Sequence, residues 1–315
     1  MKQNQTKKDF KLKERKVRRK ELWLHRELYL FMLPALVALI VFSYIPMYGI
    51  VMAFQDVKIG NPFGQNEWVG LYHFKRFFNG AWFATILKNT VAISILNNIL
   101  AWPFAVFLAL LLHNSPSQKL KKLTQTATYI PHMLSLVLIV SIVNVFCAGE
   151  SGLINILLAK LGFDGISFFG NPKWVRPLYV ISGIWAQTGY SAIVYVGALS
   201  AVDEELIEAS KVDGAGKIKQ IWHIQLPTIL PTIVTMLILT LGKSFAVGAD
   251  KMLLFQTELN ISASEIISTY VYKTGIDGGQ FGFSTAVGLF QNLVNIILLM
   301  SVNWISKKLT DISIL

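Results

Sequence analysis

Long apolar runs separated by short polar segments make up most of this 315-residue chain. Crossing the hydrocarbon core of a bilayer takes about 20 residues of helix. Six runs reach that length, and they cover residues 29–54, 89–112, 127–148, 175–202, 228–249 and 282–306. Because unpaired backbone groups are not tolerated in lipid, each run is predicted to be a helix. The pattern therefore predicts an all-α polytopic membrane protein with six transmembrane helices.

Composition agrees with this fold class, because 53% of the residues are hydrophobic and only 15% are charged. The same pattern divides the chain into a basic N-terminal segment at 1–27, a transmembrane domain at 28–307 and a short tail at 308–315. Three loops are predicted on the side opposite the termini, at 55–88, 149–174 and 250–281. Each is too short to form an independent domain. Within the first of them, apolar residues spaced along 69–78 are consistent with a short amphipathic helix.

The formal net charge of +11 invites a nucleic-acid interpretation, which the charge distribution opposes. Eleven of the 29 basic residues precede the first span, and 19 in all lie on the side of the termini. Basic residues accumulate in the cytoplasmic loops of membrane proteins. We therefore expect both termini and residues 113–126 and 203–227 to be cytoplasmic, and the basic N-terminal segment to lie against anionic lipid without binding nucleic acid.

The chain shows no catalytic or metal-binding pattern. Its single cysteine, Cys147, excludes an intramolecular disulfide, and the five histidines lack the spacing of a zinc site. Gly214-Ala215-Gly216-Lys217 only superficially resembles a phosphate loop, because Lys211 and Ile218 stand where that motif needs glycine and a hydroxyl residue. No catalytic residue, metal or cofactor is therefore predicted in this chain.

Residues 203–227, called the EAA segment below, are a polar island between two apolar runs. Acidic residues at Asp203-Glu204-Glu205 favour a helix N-terminus, and Gly214 favours a turn. Helical apolar spacing resumes after the turn and continues to Pro227. The pattern predicts a short helix, a turn and a second helix that ends where the chain re-enters the membrane. A simple turn needs only a few residues, so the length itself points to a partner.

The order Glu208-Ala209-Ser210-x-x-Asp213-Gly214-Ala215, followed by Ile224-x-Leu226-Pro227, resembles the EAA loop of permease subunits in binding-protein-dependent ABC importers. Ser210 departs from the second alanine that is usual there, and Trp222 replaces a usual phenylalanine. Further segments along nearly the whole chain resemble the complex-carbohydrate, LplB-like branch of that family. They include Tyr44-Ile45-Pro46-Met47-Tyr48-Gly49, Trp68-Val69-Gly70-Leu71 and Asn171-Pro172-Lys173-Trp174.

The resemblance implies a type I, MetI-like bundle whose EAA loop holds a coupling helix. It implies a bacterial cell-membrane location and no ATPase site in this chain, since ATP and magnesium would be held by two cytoplasmic ATPase subunits. A second homologous permease in a heterodimer and an extracellular solute-binding protein would complete the importer. The residues it places at the ATPase contact are Glu208, Ala209, Ser210, Asp213, Gly214, Leu226 and Pro227.

An oligosaccharide path needs aromatic faces for sugar rings and amides for their hydroxyls. The spans offer such residues at Asn97, Asn98, Trp185, Gln187, Tyr190, Asn292 and Asn295. Each of them could instead form a hydrogen bond between helices of the bundle. We expect at least some of these side chains to line the path.

Lys243 is the one basic residue within the fifth predicted span, where an ionisable group suggests function. Facing the cavity, it would favour an anionic oligosaccharide; snorkelling to the nearby interface is the alternative. Two other interpretations remain beside the sugar importer, namely an importer for a different solute and an ion-coupled carrier. A carrier should place acidic residues within its spans, and these spans contain none.

Overall fold

The structure, a computed structural model, describes residues 24–62, 65–242, 245 and 247–310. Most of the predicted N-terminal segment and the last residues of the tail lie outside this part of the chain. The described residues form helices almost throughout. One short antiparallel pair joins β1 (Gln55–Asp56) to β2 (Glu67–Trp68). The chain divides into two compact units, which meet after Met52.

The described part of the first unit is one helical stretch. It consists of α1 (Arg26–Leu39), a π turn (Ile40–Tyr44), α2 (Ile45–Met47) and the start of a 3-10 helix (Tyr48–Phe54). Pro46 lacks a backbone donor, and the π turn just before it is the kind of local adjustment that keeps such a helix continuous. The stretch is long and apolar enough to form the first predicted span.

The second unit begins with the β1–β2 pair and continues with a short helix and the predicted second to fourth spans. Its first helices are α3 (Tyr72–Phe78), α4 (Phe83–His113), α5 (Gln118–Met133), α6 (Leu136–Cys147), α7 (Leu153–Lys160) and α8 (Pro172–Leu199). The amphipathic helix predicted within residues 69–78 is thus present as α3. One of its faces is not on the surface, since His73 and Phe77 are buried.

The rest of the unit contains the EAA segment and the last two spans. It comprises α9 (Glu204–Val212), α10 (Lys217–Gln220), a π turn (Ile221–Gln225), α11 (Leu226–Leu241), α12 (Ala249–Phe255), α13 (Ile261–Ser264), α14 (Ile267–Tyr272), a second π turn (Lys273–Asp277) and α15 (Phe281–Thr310). Across both units, four described helices are long and apolar enough to span a membrane, and a bent pair makes five. The predicted fourth span corresponds to α8, which has 28 residues but is more polar.

The third predicted span, residues 127–148, is not one straight helix. It is divided between α5 and α6, which meet at an angle of 106°. Ser135 begins the second helix, because its hydroxyl accepts a hydrogen bond from the Leu138 amide at 3.3 Å. Hydropathy records how apolar a segment is and not its direction, so the sequence pattern could not reveal this bend.

The core of the second unit lies around α4 and α8. One buried cluster joins Ile93 of α4 and Tyr179 of α8 to Met252 and Phe255 of α12. A second cluster joins the other ends of α4 and α8 to α11, through small residues such as Ala109 and Ala192. Gly189 of α8 packs directly against the Thr128 carbonyl of α5, where any β-carbon would collide. These contacts fix α8 at the centre of the bundle.

The loop predicted at residues 250–281 is largely folded. Residues 249–272, with α12, α13 and α14, form a segment called the α12–α14 segment below. Its apolar residues enter the core, and Met252, Phe255, Ile266 and Ile267 are almost fully buried. A connection that packs within the bundle can therefore carry side chains to its interior, which the sequence pattern alone did not predict.

Candidate functional site

The EAA segment has the predicted helix-turn-helix form. Asp203 caps α9 by accepting a hydrogen bond from the Glu205 amide at 2.9 Å. The helix ends at Gly214, whose φ of +76° is strained for residues with a β-carbon. The Ala215 amide then donates to the Ser210 carbonyl at 2.9 Å, which closes the turn. The glycine is required by the backbone at this position.

The outer surface of the EAA segment is open to solvent. Glu208, Ala209 and Asp213 are all exposed. Three large apolar side chains of the same segment also have high exposed fractions, at 89% for Val212, 74% for Ile218 and 66% for Trp222. Exposed large apolar side chains in a charged segment are typical of an interaction surface.

The inner surface of the EAA segment is anchored to the bundle. Ile207 of α9 packs on the cluster that contains Leu199. Gln225 and Asn114, at the end of α4, exchange two amide hydrogen bonds of 2.8 and 3.0 Å. The segment is therefore held on one side and presented on the other.

The expectation that the second helix of the EAA segment ends at Pro227 is wrong. Residues 217–241 form one helical stretch, with Leu226 and Pro227 at the start of α11 inside it. The π turn at Ile221–Gln225 immediately precedes the proline and widens the helix where its donor is missing. The connection between the EAA segment and α11 is still rigid, because the helix continues through Pro227.

A polar stripe runs along α8 through Gly183, Gln187 and Tyr190, which share one face at intervals of four and three residues. Gln187 and Tyr190 are both exposed in this chain. His132, from the end of α5, lies 3.0 Å from the Gln187 amide oxygen through its Nδ1 atom. Its ring also stacks on Tyr190, with centroids 4.0 Å apart. An aromatic face is thus combined with amide and imidazole groups, as sugar binding requires.

Lys251 of α12 lies at the other end of the polar stripe. Its side chain is buried, with 9% of the residue exposed, and its Nζ atom donates to the Tyr179 carbonyl at 2.6 Å. The ammonium also lies 4.3 Å from the centre of the Tyr179 ring. A β-carbon at Gly183 would be 3.1 Å from that Nζ and 3.5 Å from the Asn97 amide oxygen. The cation and the amide therefore meet beside the glycine.

The other candidate path residues are dispersed. Trp185 lies away from the polar stripe, in an apolar pocket of about 610 Å³ that Cys147 and Trp174 also line. Asn98 is buried and lines a smaller pocket of about 250 Å³ beside Tyr190. The structure thus places Gln187 and Tyr190 on the polar stripe, Asn97 beside Gly183 at its start and Asn98 in the pocket next to Tyr190, whereas Trp185 lies elsewhere.

Candidates near the last two spans include one with a structural contact. Asn295 is buried and accepts a hydrogen bond from the Phe245 amide at 3.0 Å, so it fixes the chain after α11. Asn292 is exposed on α15. Lys243 lies outside the described residues.

Sequence reasoning missed a polar network that holds the α12–α14 segment. Glu265 is buried and forms an ion pair with Lys273 at 2.8 Å, while its carboxylate also accepts from Gln256 and Thr269. Asn89 of α4 donates to the Glu265 carbonyl at 2.9 Å and accepts from Arg176 of α8. These residues lie far apart in the chain, and no short window contains a pattern that would reveal them.

Two sets of comparisons relate this chain to known proteins. The family model for "Binding-protein-dependent transport system inner membrane component" matches residues 101–311. The polygalacturonan/rhamnogalacturonan transport system permease protein YteP from Bacillus subtilis (strain 168) is 42% identical, over 95% of this chain and 93% of YteP. Protein LplB from the same organism is 41% identical, over 89% of this chain and 88% of LplB.

A solved structure gives the same relationship. A chain of a bacterial alginate ABC transporter, crystallised in complex with an alginate pentasaccharide-bound periplasmic protein, is 31% identical to this chain. The two superpose with a TM-score of 0.86, over 94% of this chain and 99% of the other. The similarity extends through both the EAA segment and the polar stripe.

Proposed function

Because the chain belongs to the family of binding-protein-dependent transport system inner membrane components, we propose that it forms one wall of the sugar path in an ABC importer for acidic oligosaccharides. The observation that carries this proposal is that α8 holds the polar stripe and leads directly into the EAA segment. The polar stripe lies on α8, and the exposed EAA segment follows α8 after three residues. A substrate path and a coupling surface are therefore directly connected.

Two ATPase subunits are the partners proposed for the EAA segment. The open face around Glu208 and Ala209 combines charge with a small side chain, which allows a partner helix surface to approach closely. The exposed Val212, Ile218 and Trp222 add the apolar area that a protein interface buries. The ATPase subunits would supply ATP hydrolysis, since this chain presents no phosphate-binding loop.

A second homologous permease is the partner proposed for the polar stripe. Tyr190 is 54% exposed in a single chain, and Gln187 beside it is exposed as well. Aromatic and amide groups at membrane depth normally face a bundle interior or a water-filled cavity. A second permease, in a heterodimer of related chains, would enclose that cavity. A solute-binding protein would deliver the substrate from outside, as the periplasmic protein in the alginate complex suggests.

The acidic character of the substrate is supported by the names of the similar proteins. YteP is named for polygalacturonan and rhamnogalacturonan, and the similar transporter structure imports the acidic polysaccharide alginate. Uronate sugars occur in all three. The charge distribution supports cytoplasmic termini, with 19 basic residues on their side and ten on the other.

Purification of the tagged chain from its native membrane tests this proposal. We expect a second permease of the same family and an ATPase chain to co-purify, and ATP hydrolysis to rise when a sugar-loaded binding protein is added. In proteoliposomes, sugar uptake should then require ATP inside. Uptake by this chain alone, driven by a sodium or proton gradient, would show that it is an ion-coupled carrier.

A further inference from the structure

Lys251 is a buried amine without a carboxylate partner among the described residues, and burial lowers the pKa of its ammonium to about 7. The ion pair found in that part of the chain joins Lys273 to Glu265 and does not include Lys251. Its ammonium has three N–H donors, and one of them donates to a backbone carbonyl, that of Tyr179. Burying a charge without an opposite charge is costly, and a membrane protein keeps such a group mainly where it acts.

Gly183 leaves the Lys251 ammonium without a covering side chain from α8. A β-carbon at position 183 would press on the Lys251 Nζ atom at 3.1 Å, so the missing side chain is what keeps that atom uncovered on α8. Gly183 and Asn97 are only half-buried, and both lie at the start of the polar stripe. The Asn97 amide lies on the same side of the slot. An anion in the slot would therefore contact the ammonium, and the Asn97 amide would turn its NH2 group toward the anion in place of the oxygen that lies there now.

We infer that Lys251 binds a carboxylate of the acidic oligosaccharide, which reaches its ammonium through the slot that Gly183 leaves between α4 and α8. This assignment rests on the proposed function and names the residue that selects the charge of the substrate. The sugar rings would follow the polar stripe, where Gln187, His132 and Tyr190 offer hydrogen bonds and a stacking face. A carboxylate in this poorly hydrated slot gains more from the cation than it would in water. A neutral ester of the same sugar would leave the cation unpaired.

Direct binding to the importer complex tests the assignment. The complex of this chain with its partner permease and ATPase subunits, without binding protein, is placed in nanodiscs. It is then titrated with tetragalacturonate and an alginate tetrasaccharide, each compared with its methyl ester. We expect the wild type to bind at least one acid roughly 10- to 100-fold more tightly than its ester, the range for a charge-assisted hydrogen bond.

Three variants separate this role from a structural one. Lys251→Met keeps the apolar stem and should reduce the preference for acid to about threefold or less, while Lys251→Arg should retain part of it. Gly183→Ala keeps the lysine but covers its ammonium, so it should also lower the preference. Lys173→Met removes an exposed positive charge from the start of α8 and should leave the preference unchanged. Co-purification of the ATPase subunits reports assembly in each case.

The outcomes distinguish the two proposals. If the wild type prefers neither acid over its ester, the acidic substrate of the proposed function is wrong, and the Lys251 assignment falls with it. If the wild type prefers the acid and both Lys251→Met and Gly183→Ala keep that preference, only the Lys251 assignment is wrong. Loss of ATPase co-purification in Lys251→Met, with the acid preference intact in Gly183→Ala, would make Lys251 a structural residue.

Discussion

The EAA segment turns its charged and large apolar side chains to solvent, whereas the α12–α14 segment turns the same kinds of side chain into the bundle. Val212 of the first is 89% exposed, and Ile266 of the second is fully buried. In the first, Glu208 is exposed, while in the second Glu265 is 4% exposed and paired with Lys273. Both connect membrane helices.

The difference shows that what a connecting segment packs against determines which of its side chains are buried. A segment that binds another protein must keep its contact residues accessible. Its side-chain hydrogen bonds therefore cap its helices or attach it to the bundle. A segment whose partner is its own bundle must satisfy each polar group that it buries. We therefore expect substitutions in the EAA segment to impair coupling at unchanged stability. Substitutions in the α12–α14 segment should lower stability first.

The largest effect is expected at the exposed face of the EAA segment. Ala209→Asp adds charge and bulk where a partner would approach, and Gly214→Val imposes a β-branched residue on a φ of +76°, at a cost of about 1–2 kcal/mol. Both variants should abolish ATP-driven uptake in proteoliposomes while the protein still inserts. Ala209→Asp should keep its thermal midpoint, and Gly214→Val should lower it only by the amount that this strain accounts for. Glu204→Gln, an exposed change in the same helix, serves as the control and should transport normally. Full transport by both variants would exclude this surface from coupling.

Substitutions in the Glu265–Lys273 ion pair, which holds the α12–α14 segment, should lower the stability of the protein by different amounts. Lys273→Met leaves the buried Glu265 carboxylate unpaired and should cost about 3 kcal/mol, as removal of one partner of a buried pair does. Glu265→Gln should cost less, because the Lys273 side chain is 33% exposed and can turn to water. Thermal unfolding of the purified complex measures the order of the two. Equal midpoints for both variants and for the exposed control Lys160→Met would mean that the pair contributes nothing.

A smaller effect is expected where the EAA segment is anchored. Replacing Gln225 or Asn114 by alanine removes the pair of amide hydrogen bonds that ties the segment to the end of α4. A double-mutant cycle should give a coupling energy of about 1 kcal/mol. The measurement is the unfolding midpoint of the two single variants and the double variant. Strict additivity would show that the two amides do not support each other.

Cysteine labelling should leave activity almost unchanged while it sharpens the comparison by placing the two segments on opposite sides. In a Cys147→Ala background, Lys217→Cys should be protected from an impermeant thiol reagent in intact cells, and Gly278→Cys should react. Permeabilised cells provide the control, since both positions should then label. Reaction of Lys217→Cys from outside would reverse the proposed orientation.

Sequence periodicity was sufficient for the helical membrane fold and for the first helix and turn of the EAA segment, because both depend on local features. Runs of apolar residues, the acidic start at Asp203 and the glycine at position 214 each act within a few residues. The bend between α5 and α6 and the folding of the α12–α14 segment were not predicted, since they depend on contacts between distant helices. Gly189 against Thr128 and Glu265 beside Asn89 are examples.

The candidate path was predicted only in part for the same reason. Gln187 and Tyr190 were selected by residue type, and the structure places them on one face of α8, with Asn97 beside Gly183 at the start of the same stripe. Trp185 was selected for its aromatic side chain in the same span, but it lies in the apolar pocket, because a helix distributes neighbouring residues around its axis. Lys251 was not selected, since it belongs to a segment that hydropathy assigned to a loop.

The position of α8 connects the polar stripe rigidly to the EAA segment. From Tyr190 to Leu199, where α8 ends, the distance along the helix axis is about 14 Å at about 1.5 Å per residue. Gly189 locks this part of the rod to α5, and the buried Leu199 is packed with Ile207 of α9, so little slack remains between the two ends. We therefore expect a displacement of α9 to move His132 and Tyr190 together with it. In the proposed importer, the ATPase contact and the sugar contact would then lie at the two ends of one rigid helical unit.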